Sequence, residues 1–189
     1  MTDLSGKKVA VLVDNLFEEA EFTGPIDALK KAGAKVEVIA ANPDKDHKVQ
    51  AMQHADKSNK YAIDKTLEEA NIDDYDALVL PGGQINPDLL RVNEDALALI
   101  KAFYAGGKPI AAVCHAPWLL IEAGIVKNLK MTSYHSIKTD VINAGGKWED
   151  KAVVSDGGIV TSRNPGDLEA FSKQIIQEIK SSKHQRAAA

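Results

Sequence analysis

Short apolar runs alternate along the chain with segments in which apolar residues recur at the spacing of a helix. The runs predict buried strands at 7–13, 35–40, 76–80 and 109–113, with weaker strands near 130–133, 152–155 and 159–161. The helical spacing predicts helices at 18–32, 93–104, 114–124, 136–144 and 166–180, and a short one at 66–71. Residues 41–61 show no clear period and are interpreted as a loop or a small β excursion.

This alternation predicts an α/β fold. Parallel strands need helical crossovers, so the repeated strand–helix–strand spacing favours a mainly parallel sheet covered by helices on both faces. The length of 189 residues is that of about one domain. We expect residues 1–180 to form this single domain and residues 181–189 to be a flexible C-terminal tail.

Composition and charge narrow the functional classes. An apolar share of 44%, a charged share of 26% and a net charge of −4 are typical of a globular protein, not of a disordered or duplex-binding one. No apolar run has the length of a signal-sequence core or a membrane span, which predicts a cytoplasmic protein without a membrane partner. Without metal-ligand spacing among the histidines or a phosphate-binding glycine motif, we predict no metal, no other cofactor and no specific nucleic-acid binding.

The strongest candidate for chemistry is Cys114, the only cysteine in the chain. It lies between a predicted strand and a predicted helix in the sequence AVCHA, with alanines two positions before and after it. This pattern is typical of a nucleophile elbow, in which a strained turn needs small neighbours. A helix N-terminus next to the sulfur is expected to favour the reactive thiolate. The alternative is a buried structural cysteine, since free cysteines are often buried.

Acidic residues and a histidine accompany this cysteine. His115 follows it directly, but adjacent helical residues point about 100° apart, so the ring need not face the thiol. Glu18, Glu19 and Glu21 cluster at the start of the first predicted helix. They either complement the helix dipole or bring one carboxyl group, with a pKa raised by burial, to the sulfur.

A glycine pair follows the strand predicted at 76–80. Gly82 and Gly83 form either a simple turn or an approach for backbone N–H groups to a substrate oxyanion. Together with the N–H of His115, they would make a two-donor oxyanion hole.

Six segments of the chain, in order, resemble the PfpI/ThiJ superfamily. They are DNLFEEAEFTGPIDALKKAG, DALVLPGG, NPDLLRVNEDA, GKPIAAVCHAPWLLIEAG, MTSYHSIKTDVINAGGKW and TSRNPGDLEAF. More narrowly, they are similar to the PfpI-type branch of intracellular cysteine peptidases and protein deglycases. The resemblance covers the chain from about residue 7 to residue 179.

The resemblance implies a flavodoxin-like three-layer sandwich and a homodimer that can assemble into hexamers. It also implies that Cys114 is the nucleophile, that His115 is its neighbour, and that Glu21 is the family glutamate in contact with the thiol.

Two positions depart from the family pattern. Asp88 stands where the archetypal peptidase has a glutamate that reaches the histidine of the adjacent subunit. Ala116 stands where the usual motif reads CHGP, and its extra Cβ either narrows the cleft or tightens the elbow. The expected oxyanion and binding residues are therefore Gly82, Gly83 and Ala116.

Three functions follow from the resemblance. The favoured one is a stress-protective hydrolase or lyase acting on small carbonyls or on glycated amines and thiols, of the protein deglycase or glutathione-independent glyoxalase type. Its partners would be a small-molecule carbonyl or a glycated protein substrate. The alternatives are a cysteine peptidase completed across subunits by Asp88, and a redox or electrophile sensor or chaperone-like stress protein in which Cys114 is oxidised.

Overall fold

A mainly parallel sheet forms the centre of the molecule in the computed structural model, which describes residues 3–181 and residue 184. The strands are β1 (Lys8–Val13), β2 (Phe17–Glu18), β3 (Lys35–Ala40), β4 (Lys48–Gln53), β5 (Asp56–Ala62), β6 (Lys65–Thr66), β7 (Ala77–Leu80), β8 (Ile110–Val113), β9 (Lys130–Met131), β10 (Lys147–Trp148), β11 (Val153–Asp156) and β12 (Ile159–Ser162). The helices are α1 (Glu19–Lys31), α2 (Ile85–Leu90), α3 (Glu94–Ala105), α4 (Pro117–Glu122), α5 (Lys138–Asn143) and α6 (Leu168–Lys180).

The main sheet has the strand order β11-β12-β8-β7-β1-β3-β6. Its pairings are parallel except that of β11 with β12, which is antiparallel. Strands β9 and β10 pair apart from this sheet, and β2, β4 and β5 form a third, three-stranded sheet. The predicted mainly parallel α/β architecture is therefore confirmed.

The two faces of the main sheet carry two separate apolar layers. Because side chains alternate along a strand, Val9, Val11 and Val13 of β1 belong to the layer that contains buried residues of α1 and α6. Ala10 and Leu12 belong to the opposite layer, which contains buried residues of α3, α4 and α5. Each large side chain that is fully buried stabilises this three-layer arrangement by about 1.5–3 kcal/mol relative to exposure.

The segment between β6 and β7 contradicts the prediction of a helix at 66–71. Thr66 ends β6, and the chain then forms turns that lead into a 3₁₀ turn at Ile72–Asp74. The carboxylate of Glu69 accepts a hydrogen bond from the N–H of Thr66 at 2.8 Å, and the side chain of Asn71 accepts one from the N–H of Asp73 at 3.1 Å. Such local side-chain bonds compete with helix formation.

The irregular segment 41–61 contains the antiparallel hairpin of β4 and β5, which confirms the alternative of a small β excursion. Most of the predicted tail, 181–189, lies outside the described residues. Of that tail the structure describes Ser181 and His184, and the N–H of His184 donates to the carbonyl oxygen of Gly107 at 2.8 Å. None of the helices in the described part of the chain combines the length and the apolar character needed to cross a membrane.

Candidate active site

The central strands β1, β7 and β8 end side by side, and their carboxyl ends form the carboxyl edge of the main sheet. In open parallel sheets this edge is where ligands bind. The elbow at Cys114 follows β8 directly, and Gly82 and Gly83 follow β7 after one proline. Helix α1, which carries Glu21, begins shortly after β1.

Cys114 occupies a strained turn at this edge. Its φ of 63° lies in the left-handed region, which non-glycine residues rarely adopt. Its N–H donates to the carbonyl oxygen of Ser162 at 3.0 Å, and its own carbonyl accepts from the N–H of Tyr134 at 2.8 Å. The predicted nucleophile elbow is therefore present, held on both sides by neighbouring chain, and 6% of the residue is exposed.

Glu21 is a completely buried acid next to this elbow. Its Oε2 accepts hydrogen bonds from the N–H groups of Gly82 and Gly83, both at 3.0 Å. Its Oε1 is buried and finds no hydrogen-bond donor among the residues that the structure describes. Burial raises the pKa of Glu21 to about 7, against the lowering effects of the thiol and of the two glycine N–H groups. An orphan buried oxygen is best satisfied when it carries the proton itself.

The glycine pair allows the carboxyl group and the elbow to meet. A Cβ placed on Gly82 would lie 2.5 Å from Oε2 of Glu21 and 2.7 Å from Cβ of Cys114, so no larger residue fits there. Gly83 has a φ of 74°, and a Cβ on it would lie 2.8 Å from the N–H nitrogen of Glu18. The N–H groups proposed for an oxyanion hole are bound to Glu21 in this arrangement, because its carboxyl group lies within their reach.

The thiol does not have the lowered pKa expected from a helix N-terminus. Burial raises the pKa of Cys114, and the Glu21 carboxylate raises it further, while the N–H groups of His115 and Gly83 oppose the change. Helix α4 has six residues and begins at Pro117, three residues after the cysteine. A proton on Glu21 removes the neighbouring negative charge and supplies a donor, so that thiolate formation is coupled to protonation of Glu21.

His115 faces the thiol, which the sequence analysis did not require. Its Nδ1 lies 3.2 Å from Sγ of Cys114. The expected divergence of 100° assumes helical backbone, whereas Cys114 has a left-handed conformation that turns the two side chains together. Burial lowers the pKa of His115, and the charge of His135 lowers it further, so the neutral ring, a proton acceptor, is favoured.

Residues that the sequence analysis missed surround the His115 ring. The ring of Tyr134 stacks on it at a centroid distance of 4.8 Å, and Trp118 meets it edge-on at 5.2 Å. Oγ of Ser136 lies 3.1 Å from Nε2. The aromatic and hydroxyl residues of the segment SYHS, directly after a predicted strand, were the available signal.

Asn86 is a second residue that was missed. It is completely buried, its Oδ1 accepts from the N–H of Asp14 at 2.7 Å, and its Nδ2 donates to the carbonyl oxygens of Pro81 and Gly82 at 2.9 and 3.1 Å. It therefore ties the glycine turn to the end of β1. An asparagine four residues after the first glycine of the pair was the local signal in the sequence.

The other predicted site residues lie further from the sulfur chemistry. Glu18 accepts from the N–H of His54 at 3.0 Å and Glu19 accepts from the hydroxyl of Tyr61 at 2.7 Å, so both bind the β4–β5 hairpin. Ala116 is completely buried, and its N–H donates to the carbonyl of Val113. This location favours a tightened elbow over a substrate contact.

Asp88 is exposed on α2. Its contact with His115 of another subunit stays a prediction. Within the described residues, no group of three or more histidine, cysteine, aspartate or glutamate side chains is arranged to hold a metal ion.

Comparison with known proteins identifies close similarity over most of the chain. The DJ-1/PfpI family model matches residues 7–178. The chain is 40% identical over 174 residues to Putative cysteine protease YraA of Bacillus subtilis, covering 92% of this chain and 99% of that protein. It is 40% identical over 173 residues to Deglycase PfpI of Pyrococcus furiosus, with the same coverage of 92% and 99%.

A solved structure shows the same fold. DJ-1beta of Drosophila melanogaster matches with a TM-score of 0.83 and 30% sequence identity, covering 94% of this chain and 95% of that one. This likeness, together with the sheet order, confirms the predicted flavodoxin-like three-layer sandwich.

Proposed function

The chain belongs to the DJ-1/PfpI family, as its sequence resemblance predicted, and we propose that it is a cysteine-dependent enzyme acting on small carbonyls and glycated amines or thiols. The observation that carries the proposal is the proximity of one thiol to two proton carriers. Glu21, with a pKa of about 7, and the neutral ring of His115 both lie next to the Cys114 thiol. The name of the Pyrococcus furiosus relative, Deglycase PfpI, supports this class of substrate.

The reaction begins with the Cys114 sulfur. His115 takes the thiol proton at Nδ1, and the sulfur adds to the aldehyde carbon of a 2-oxoaldehyde such as methylglyoxal. The carbonyl π electrons move to oxygen, which takes the proton of Glu21 and completes a hemithioacetal, leaving Glu21 as the carboxylate. In a glycated amine the same carbon already carries a hydroxyl, and the sulfur displaces the amine, which leaves with a proton.

The hemithioacetal then rearranges without an external oxidant. Glu21, as the carboxylate, removes the proton from the carbon attached to sulfur, which gives an enediolate, and returns it to the neighbouring carbon. The hydroxyl proton on the first carbon passes to the oxygen on the second, and the adduct becomes a thioester of lactate. Water cleaves the C–S bond of the thioester, lactate leaves, and the thiol is restored. The balance is one methylglyoxal and one water consumed for one lactate and one proton formed.

A second candidate is a peptidase. The distance of 3.2 Å between Nδ1 of His115 and Sγ of Cys114 supports it, because a thiol and imidazole in contact are the minimal apparatus for attack on an amide. The name of YraA is consistent with this reading. The burial of the sulfur favours small substrates over an extended peptide.

One panel separates these candidates. Wild type and Cys114→Ser are incubated with methylglyoxal, with a methylglyoxal-treated peptide and with the same peptide untreated, and lactate and peptide masses are measured. We expect wild type to form lactate and to return the treated peptide to its original mass, and the variant to do neither. Shortened peptides would favour the peptidase, and equal lactate from both proteins would refute the proposal.

The sensor alternative is tested on the same two proteins. Intact mass after mild peroxide detects oxygen added to Cys114, and oxidation without turnover of any substrate would favour that alternative. Assembly as a homodimer or hexamer and a cytoplasmic location also stay proposals.

A further inference from the structure

The imidazole of His115 has a second partner that the proposed reaction does not use. While Nδ1 faces Sγ of Cys114, Nε2 lies 3.1 Å from Oγ of Ser136. In the proposed reaction the sulfur gives its proton to His115, and Nδ1 is the acceptor because it is the ring nitrogen in contact with Sγ. The ring proton is then on Nε2, and the Ser136 hydroxyl accepts it.

Backbone contacts hold Ser136 at this position. The N–H of Tyr134 donates to the carbonyl of Cys114 at 2.8 Å, which joins the elbow to the segment that carries the serine. The next residue after the serine, Ile137, is buried, and its N–H donates to the carbonyl of Tyr134 at 3.2 Å. The serine is thus anchored on both sides in the chain, although its outer surface is exposed to solvent.

We propose that Ser136 is a positioning residue whose hydroxyl holds the Nε2–H tautomer of His115 and directs the bare Nδ1 toward the Cys114 thiol. The inference rests on the proposed function, because it assumes that His115 is the base. It provides the orienting group from within one chain, whereas the expectation for Asp88 requires a second subunit.

Nε2 carries its proton both before and after the transfer of the thiol proton to Nδ1. When the S–H bond breaks and an N–H bond forms at Nδ1, the ring becomes a cation with protons on both nitrogens. The hydroxyl oxygen of Ser136 continues to accept from Nε2 and now faces a charged donor, which strengthens the bond. The stack with Tyr134 keeps the ring plane in place during the transfer.

Two measurements that use no carbonyl substrate test the role. The first is the ¹⁵N spectrum of the histidine rings, which distinguishes a bare Nδ1 from a protonated one; His115→Gln identifies the signals of this residue. The second is the rate of alkylation of Cys114 by iodoacetamide. Both are applied to wild type, Ser136→Ala and Ser136→Thr, with Ser155→Ala as a matched control because Ser155 is an exposed serine that bonds Glu178.

We expect Ser136→Ala to mix the two tautomers and to slow alkylation roughly two- to tenfold, the size of one neutral hydrogen bond. Ser136→Thr keeps the hydroxyl and should restore both signals, and Ser155→Ala should match wild type. An unchanged tautomer and rate in Ser136→Ala would overturn the proposal, since solvent would then replace the serine fully.

The variant Asp88→Asn tests the competing explanation, in which Asp88 of another subunit orients His115. If this variant shifts the His115 spectrum and Ser136→Ala does not, the orienting group comes from another subunit and the proposal is wrong. Absence of turnover on methylglyoxal would refute the proposed function, yet the tautomer and the alkylation rate would still report on Ser136.

Discussion

Glu21 and Glu37 are both buried and lie toward opposite ends of the main sheet, but their carboxyl groups have opposite shifts of pKa. Glu37 lies in β3, near the amino ends of the strands. Its burial would raise its pKa, but hydrogen bonds from Lys35, Lys8 and Tyr75 outweigh that effect and lower the pKa to about 2. The three donors lie at 2.9 Å from its oxygens.

Glu21 lies at the carboxyl end of the sheet, where no cationic side chain of the described residues pairs with it. The groups that favour its charged form are the neutral thiol of Cys114 and two neutral backbone N–H groups, and burial outweighs them and raises its pKa to about 7. The difference shows that burial alone does not mark a functional acid. A carboxyl group whose charge is paired is structural, and one left to exchange its proton near neutral pH is available for chemistry.

The largest expected effect that separates these two residues is on turnover. Glu21→Gln keeps the volume and an acceptor for the glycine N–H groups but cannot exchange a proton. We expect kcat/KM for methylglyoxal to fall by roughly 10²–10⁴-fold, the usual contribution of a general acid–base group. Glu37→Gln, the matched control, should stay within about twofold of wild type. Wild-type turnover in Glu21→Gln would remove Glu21 from the mechanism.

For the stability of the fold at pH 7, we expect Glu37 to matter more than Glu21. Because the folded pKa of Glu37 is below its ordinary value of 4.5, its charge stabilises the fold above pH 4.5, and this contribution is lost as the pH falls toward 2. A shift of this size corresponds to about 3 kcal/mol at pH 7. We expect Glu37→Gln to lower the free energy of unfolding by about that amount in urea titrations at pH 7. The two proteins should converge near pH 2, and a constant difference would contradict the pairing.

Glu21 should show the opposite pH dependence. Its folded pKa exceeds the ordinary value of 4.5, so the folded state binds more protons than the unfolded state between pH 4.5 and about 7, and stability falls across that window. Relative to Glu21→Gln, wild type should lose up to about 3 kcal/mol from pH 4.5 to pH 8. Urea titrations of both proteins at several pH values measure this loss. A difference that does not vary with pH would mean that the carboxyl group does not titrate in this range.

The central strands of the main sheet could be predicted because they are local apolar runs, whereas the two-residue edge strand β6, Lys65–Thr66, has no apolar run and was not predicted. Strand β7 stops at Pro81, and the helix predicted at 93–104 has an asparagine cap, Asn93, whose side chain accepts from the N–H of Ala96. The hairpin of β4 and β5 was harder because its sequence is polar. Its stability depends on contacts between its two strands, such as the hydrogen bond that the side-chain amide of Gln50 donates to the carbonyl of Ser58 at 2.9 Å.

The candidate site was predictable only in part. The elbow at Cys114 has a local sequence pattern, and the family resemblance indicated Glu21. The direction of the His115 ring depends on a left-handed φ at Cys114 that no neighbouring residue type dictates. The capture of the Gly82 and Gly83 N–H groups by Glu21 joins segments about 60 residues apart, which local patterns do not report.

The smallest expected effect is on the free energy of unfolding, and it tests whether the less exposed partner contributes most to stabilising the charge of Glu37. The side chain of Lys35 is 69% exposed and that of Lys8 is 23% exposed, although both lie 2.9 Å from the carboxylate. Because solvent and salt screen an exposed pair, Lys35→Ala should lower the free energy of unfolding only slightly, and this loss should vanish at high salt. Lys8→Ala should cost about 1–2 kcal/mol and keep most of that cost. Urea titrations at two salt concentrations measure both losses of stability. Equal losses would mean that the total charge near Glu37, and not its burial with a partner, determines why its pKa differs from that of Glu21.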